Sequence, residues 1–176
     1  MYQKYVKFED LLFKFEKTIV VIAFSLIFIT VSGQVFQRFF NLPIPDTSDI
    51  SMVSQGVFTF ISVGMLVYLE SHITIEAQKL IKNRNILFVV EMFAFVVLLI
   101  FAGVFIWLGY DLFGFALDTG TSTTALRIPL WIPYGSMLLG LIVMVFHTIG
   151  AMMKMYFYWK NPSEYVEQEI DIKSMR

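Results

Sequence analysis

Four long stretches of the chain are continuously apolar and contain no charged residue. They comprise 20, 20, 19 and 26 residues and lie between Lys17 and Arg38, Asp49 and Glu70, Glu91 and Asp111, and Arg127 and Lys154. A helix needs roughly 20 apolar residues to cross a hydrocarbon layer about 30 Å thick. Because the apolar residues do not alternate with polar ones, the stretches predict helices rather than β-strands. The pattern therefore predicts an all-α integral membrane protein with four transmembrane helices.

The composition agrees with this fold class and excludes several functions. Hydrophobic residues make up 57% of the 176 residues and charged residues 15%, against about 45–50% and 25% in soluble domains. One soluble core of this size could not bury that much apolar surface. The net charge of −1 provides no basic surface for nucleic acid. The absence of cysteine excludes a disulfide framework, an iron–sulfur site and a thiol nucleophile.

The distribution of positive charge predicts how the chain is oriented in the membrane. Eleven of the thirteen Lys and Arg residues lie in the N-terminal segment, in the connection between the second and third spans, or at the C-terminus. Only Arg38 and Arg127 lie in the other two connections. Since positive residues favour the cytoplasmic side, both termini are predicted to be cytoplasmic. The loops at Asn41–Asp49 and Asp118–Arg127 are then expected to face outward.

The same pattern divides the chain into three regions. These are a cytoplasmic amphipathic N-terminal segment, a four-helix transmembrane domain and a cytoplasmic tail, at residues 1–16, 17–160 and 161–176. The spans are expected at about 18–40, 50–70, 86–116 and 129–158.

Two segments have the amphipathic pattern of helices that lie flat at the membrane surface. The N-terminal segment has apolar residues at helical spacing, namely Tyr5, Phe8, Leu12 and Phe15. A second interfacial helix is predicted at residues 72–83, with an apolar stripe formed by Ile73, Ala77, Leu80 and Ile81. Such helices place the apolar face in the headgroup region and the charged face in water. The alternative for both segments is a simple helical extension into water.

The entry to the fourth span combines prolines with amphipathic rings. Trp131 and Tyr134 are expected to anchor the outer membrane interface, where such rings are enriched, and Arg127 to lie among the headgroups. Pro129 suits a first helical turn, where a missing N–H costs nothing. Pro133 is expected one turn further inside, where it would remove a hydrogen bond and kink the helix.

No pattern for chemistry appears within the spans, so we predict no catalytic, metal or substrate-binding residue. The charged residues bracket the apolar windows, and the membrane interior is predicted to be free of charge. Glu91 lies about two turns inside the inner end of the third span and Asp111 near its outer end, and each could either pair with a partner chain or lie at the membrane boundary. A haem site would need two histidines at matched depth, which His72 and His147 do not clearly provide. His147 is therefore interpreted as a packed, hydrogen-bonded residue.

These features indicate an accessory membrane subunit that is not an enzyme and packs against a larger partner. Nothing resembles a nucleotide loop, a metal cluster or a pair of broken helices in corresponding halves. Small residues that allow close helix contact occur in all four spans, including Gly33, Gly56, Gly64, Gly103, Gly140 and Gly150.

Several segments resemble the DctQ-type small membrane subunit of tripartite ATP-independent periplasmic (TRAP) transporters. They are RFFN at Arg38–Asn41, HITIEAQKLI at His72–Ile81 and LRIPLWIPYGSMLLG at Leu126–Gly140. The order of a charged N-terminus, four spans and a short tail is also similar to that family. One departure is PIPDTSDIS at Pro43–Ser51, which lacks the tryptophan and paired glutamates that many members have before the second span.

The resemblance implies a role in the bacterial inner membrane. A periplasmic binding protein would deliver an organic acid, of the sialic acid or C4-dicarboxylate type, to a large multi-span subunit. That subunit would hold the sodium and substrate sites and move as an elevator, so no cofactor is expected in this chain. The small subunit would pack on the fixed scaffold and help dock the binding protein. Outward-facing charges are the candidate docking residues, namely Asp46, Asp49, Asp118 and Arg127.

Two alternatives from other classes remain open at this point. The chain could be the haem-binding membrane anchor of a redox complex, or a self-contained four-helix channel.

Overall fold

The described part of the chain folds into four long α-helices. A computed structural model describes residues 2–43, 46–69 and 83–161. The helices are α1 (Tyr2–Phe40), α2 (Ser48–Tyr68), α3 (Arg84–Thr119) and α4 (Trp131–Lys160). Each contains a segment long and apolar enough to cross a membrane, so the predicted all-α fold with four spans is confirmed. The predicted interfacial helix with Ile73, Ala77, Leu80 and Ile81 lies outside the described residues, as do residues 162–176 of the predicted tail.

Residues that tolerate left-handed backbone end two of the helices. Asn41 follows α1 with a φ of 49°, and the N–H of Leu42 donates to the carbonyl of Gln37 over 3.0 Å. This pattern closes a helix by satisfying one of its last carbonyl groups. Gly120 ends α3 in the same conformation, with a φ of 62°. At the start of α3, the side chain of Asn83 accepts a hydrogen bond from the first turn.

The helices form a row whose order differs from their order in the chain. α2 packs against both α1 and α4, and α4 also packs against α3, which gives the spatial order α1, α2, α4, α3. A core of Val67, Ala102, Met137, Leu141 and Met144 joins α2, α3 and α4. The flanking helices α1 and α3 consequently leave broad apolar faces uncovered within the chain.

The two central helices approach closely at glycines. A Cβ atom at Gly140 of α4 would overlap the carbonyl oxygen of Phe60 in α2, and one at Gly56 of α2 would lie 3.0 Å from the Cβ of Pro133. Close packing of this kind is a main source of helix association in membranes, where lipid removes the hydrophobic driving force. By contrast, a Cβ at Gly103 would meet nothing within 4 Å.

The start of α4 differs from the sequence expectation. The helix begins at Trp131, so Pro129 precedes it and Pro133 is its third residue rather than lying one turn inside. The first i to i−4 hydrogen bond runs from the Tyr134 N–H to the Leu130 carbonyl, over 3.3 Å. The nitrogen of Pro133 therefore lies among the first four positions, which have no partner within the helix. The expectation that Pro133 removes a helical hydrogen bond was wrong.

The N-terminal segment is continuous with the first span, because α1 runs unbroken from Tyr2 to Phe40. Its predicted apolar stripe is only partly covered by the other helices, since Tyr5 and Leu12 are half-buried. Phe8 and Phe15 are 51% and 65% exposed, whereas Glu9 and Glu16 are buried against the neighbouring helices. The position of this segment relative to the membrane surface stays a prediction.

We predict that Gly140→Ala destabilises the chain by roughly 1–3 kcal/mol, because the new methyl group must push α4 away from the α2 backbone. Gly103→Ala is the matched control, since it adds the same group to an apolar helix in open space. There the better helix propensity of alanine should leave stability unchanged or raise it by up to about 1 kcal/mol. Thermal unfolding of the two purified variants in detergent measures the difference. Equal unfolding temperatures would contradict the backbone contact.

Candidate functional site

The connection between α3 and α4, which is predicted to face outward, forms a compact loop at residues 121–130 that we call the outer loop. The N–H of Thr123 donates to the carbonyl of Ile128, and the N–H of Leu130 donates to the carbonyl of Thr121, each over 3.0 Å. Pro129 pairs with the opposite side of this loop in a short antiparallel bridge. Because these bonds cross the loop, its tip has a defined shape.

Asp49, in the first turn of α2, fastens the outer loop to that helix. Its Oδ2 atom accepts hydrogen bonds from the backbone N–H groups of Ala125 and Leu126, over 2.9 and 2.7 Å. Asp49 is only 6% exposed. Bonds from neutral N–H groups to a carboxylate are stronger than bonds between neutral groups. The start of α2 and the loop before α4 are therefore joined by a buried charge.

Three of the four predicted docking residues present their charges on the surface. Asp46, Asp118 and Arg127 are exposed, whereas Asp49 directs its carboxylate into the loop. Arg127 also has a φ of 54°, which side-chain-bearing residues rarely adopt. Such strain persists only where the surroundings impose it, and it occurs frequently at functional sites.

The predicted interface anchors surround the same region. Trp131 and Pro129 are exposed, and Pro133 and Tyr134 are half-buried. Their contact with the membrane interface stays a prediction.

A second polar site lies between α1 and α4 and was missed from the sequence. The Nδ1 atom of His147 lies 3.3 Å from Oε1 of Glu9, and its Nε2 atom lies 3.1 Å from Oε2 of Glu16. The Nζ atom of Lys154 lies 3.2 Å from the other oxygen of Glu9. His147 is completely buried, and the two glutamates are 1% and 2% exposed. We call Glu9, Glu16, His147 and Lys154 the inner cluster.

The inner cluster buries charged side chains that the sequence did not predict to lie inside the protein. Glu9 and Glu16 precede the first apolar window, so they were assigned to the membrane surface. In the structure, Glu9 and Glu16 lie seven residues, or two helical turns, apart on one face of α1. The imidazole of His147 in α4 lies between them. The spacing of these two glutamates was the signal in the sequence that could have indicated this arrangement. The interpretation of His147 as a packed, hydrogen-bonded residue agrees with these contacts.

Two glycines leave room for the carboxylates. Oε1 of Glu16 is the atom nearest to a Cβ built at Gly64, and Oε1 of Glu9 would lie 2.9 Å from a Cβ at Gly150. The hydroxyl of Tyr5 also occupies the space beside Gly150 and donates to the carbonyl of Phe146 over 2.8 Å. The small residues of α2 and α4 thus allow α1 to place polar groups between them.

The geometry of the inner cluster does not suit a haem ligand. Both ring nitrogens of His147 already face carboxylate oxygens, and His72 lies outside the described residues. Within residues 2–43, 46–69 and 83–161, no group of three or more His, Asp or Glu side chains has an arrangement that could hold a metal ion. Of the other acids considered, Glu91 is half-buried and Asp111 is exposed.

Comparison with protein families gave a match. The model of the family described as "Tripartite ATP-independent periplasmic transporters, DctQ component" matches residues 27–156. Neither the curated proteins nor the solved structures contained a significant match.

We predict that Asp49→Asn loosens the outer loop. The amide oxygen of asparagine can still accept a hydrogen bond, but it lacks the charge that strengthens both bonds. Because bonds to a charged acceptor are stronger than bonds to a neutral one, the amides of Ala125 and Leu126 should exchange roughly 10-fold faster or more. Hydrogen exchange of the purified chain measures this rate.

Asp118→Asn is the control, because it removes the same charge from an exposed position near the loop. It should leave both exchange rates unchanged. If Asp49→Asn also left them unchanged, Asp49 would not be what holds the loop.

Proposed function

The chain belongs to the DctQ family and is the small inner-membrane subunit of a tripartite ATP-independent periplasmic transporter; from this premise we propose that it is the non-catalytic partner in a sodium-coupled carrier of organic acid anions. The large subunit holds the sodium and substrate sites, and this chain binds neither. Sialic acids and C4-dicarboxylates are the substrate classes that we propose. The observation that carries the proposal is the family match, which includes most of the four spans.

The row of helices suits a subunit that widens a fixed scaffold. α1 and α3 lie at opposite ends of the row, and large apolar residues such as Phe28 and Trp107 are 65% and 67% exposed there. One such face can pack against the scaffold of the large subunit while the other contacts lipid. The backbone contact between α2 and α4 stiffens the row, as a wall beside a moving elevator domain requires.

The outer loop suits the docking of the periplasmic binding protein. Asp46, Asp118 and Arg127 offer charges of both signs at the predicted outer surface. Asp49 contributes indirectly by fixing the loop that carries Arg127. A rigid loop loses little conformational entropy on binding, so a transient contact can form without reordering.

Reconstitution of the transporter in proteoliposomes tests the role of this chain. We expect uptake of substrate when both membrane subunits, the binding protein and a sodium gradient are present. Omitting this chain should abolish uptake, and vesicles containing only this chain should take up nothing. Replacing the sodium gradient with a potassium gradient should also abolish uptake. Normal uptake without this chain, or uptake by this chain alone, would contradict the proposal.

Charge reversal tests the docking surface separately. Asp46→Lys, Asp118→Lys and Arg127→Glu should each raise the binding-protein concentration needed for half-maximal uptake several-fold, because charges at an interface rim guide association. Co-purification with the large subunit should not change. Lys160→Glu, at the opposite end of α4, is the matched control and should have no effect on uptake. If all three reversals behaved like Lys160→Glu, docking would involve other residues.

A further inference from the structure

The inner cluster serves neither of the roles proposed above. Docking concerns the outer loop, and packing against a partner concerns the exposed apolar faces. Ionisable groups inside a membrane protein are costly and usually have a function. A buried ion pair also adds little stability compared with well-packed apolar residues. The presence of two buried carboxylates and an imidazole at one contact therefore calls for another explanation.

The inner cluster connects α1 and α4, which are not neighbours in the row of helices. α1 packs along α2, and α2 packs in turn against α4. In its N-terminal half, α1 reaches past Gly64 of α2, where the carboxylate of Glu16 lies. The contact with α4 is then made by the rings of Tyr5 and Phe8, which pack on Phe146, and by the carboxylates of Glu9 and Glu16. The position of this half of α1 thus depends on these polar side chains as well as on the aromatic contacts.

The contacts of His147 require a fixed number of protons. Each ring nitrogen faces a carboxylate oxygen at hydrogen-bonding distance, so each contact needs one hydrogen atom. An imidazolium between two carboxylates meets this need, and so does a neutral imidazole with one protonated glutamate. Both arrangements contain two protons and have a charge of −1. Lys154, which pairs with Glu9, brings the inner cluster to neutrality.

We propose that Glu9, His147 and Glu16 form a proton-dependent latch that holds the N-terminal half of α1 against α4 and releases it as pH rises.

The direction of the pH dependence follows from what happens when the inner cluster loses or gains one proton. Removing one proton leaves a nitrogen lone pair facing a carboxylate and a buried negative charge, so one contact must open. Adding one proton leaves both N–H groups bonded, because a protonated carboxyl group still accepts through its carbonyl oxygen. The latch therefore opens on the alkaline side.

Other groups near His147 are also titratable. From α2, the ring of Tyr68 lies 5.3 Å from the imidazole, centroid to centroid, and its hydroxyl donates to Asp10 of α1. From α4, Lys154 lies 5.5 Å from the Tyr68 ring. Loss of a proton from Lys154 or Tyr68 could also disturb the contact. The experiment must separate these causes.

Spin labels can measure the latch directly, because the chain contains no cysteine. The labels are attached at Leu11→Cys in α1 and Ile149→Cys in α4, both at exposed positions. The full chain is reconstituted in lipid nanodiscs, and the dipolar coupling between the labels is recorded from neutral to alkaline pH. We expect strong coupling at neutral pH and a loss of coupling as pH rises. Constant coupling throughout would overturn the proposal.

The Glu16→Gln variant tests which proton loss causes the loss of coupling. The glutamine amide donates its own hydrogen to the neutral imidazole, whose remaining N–H donates to Glu9. This variant should therefore keep strong coupling at neutral and alkaline pH. If it lost coupling at the same pH as the unmodified sequence, Lys154 or Tyr68 would be the cause and the latch would be excluded. Weak coupling already at neutral pH would also exclude it.

Two further measurements complete the test. Lys14→Gln makes a similar change at an exposed position on the same helix, and it should keep the alkaline loss of coupling. The imidazole nitrogens can be observed by 15N NMR, since the chain has two histidines and His72→Gln assigns the signals. The 15N signal of one His147 ring nitrogen should change over the pH range in which the coupling falls, because that nitrogen loses either its own proton or the hydrogen bond from a protonated glutamate. Loss of coupling without this change would contradict the proposed cause.

Discussion

The contact of Gly140 with the α2 backbone at Phe60 sets the distance between the two central helices. In lipid, close packing of backbones replaces the hydrophobic driving force that assembles soluble helices. The contact between Gly56 and Pro133 depends on this one, because Pro133 reaches Gly56 only when the two helices are this close. α1 and α3 then occupy the remaining sides of α2 and α4, which produces a row rather than a closed bundle.

Both polar sites depend on the same pair of helices. At one end of α2, Asp49 reaches the loop that precedes α4. Near the other end, Gly64 leaves room for Glu16 to contact His147 of α4. A wider separation of α2 and α4 would remove both contacts, because neither carboxylate could then reach its partners. The apolar packing therefore determines the geometry of the polar sites.

The sequence predicted the fold class well and the polar sites poorly, for a physical reason. Crossing a membrane requires only a long apolar window, which is a local property of the chain. The inner cluster instead requires Glu9 and Glu16 to meet a histidine more than 130 residues away, and no local pattern contains that information. Asp49 is similar, because its partners are backbone groups 76 and 77 residues further along. The start of α4 was misjudged because Pro129 and Pro133 both suit a first turn.

The two polar sites also differ in how they respond to their surroundings. The carboxylate of Asp49 is bound by backbone N–H groups, which do not titrate, so the outer loop keeps its shape as the pH rises. The contacts of His147 use hydrogens that can be lost to solvent. Rearrangement on proton loss would therefore be confined to the N-terminal half of α1. The surface proposed for docking, at the opposite end of α2, would stay in place while the other end of the row responds.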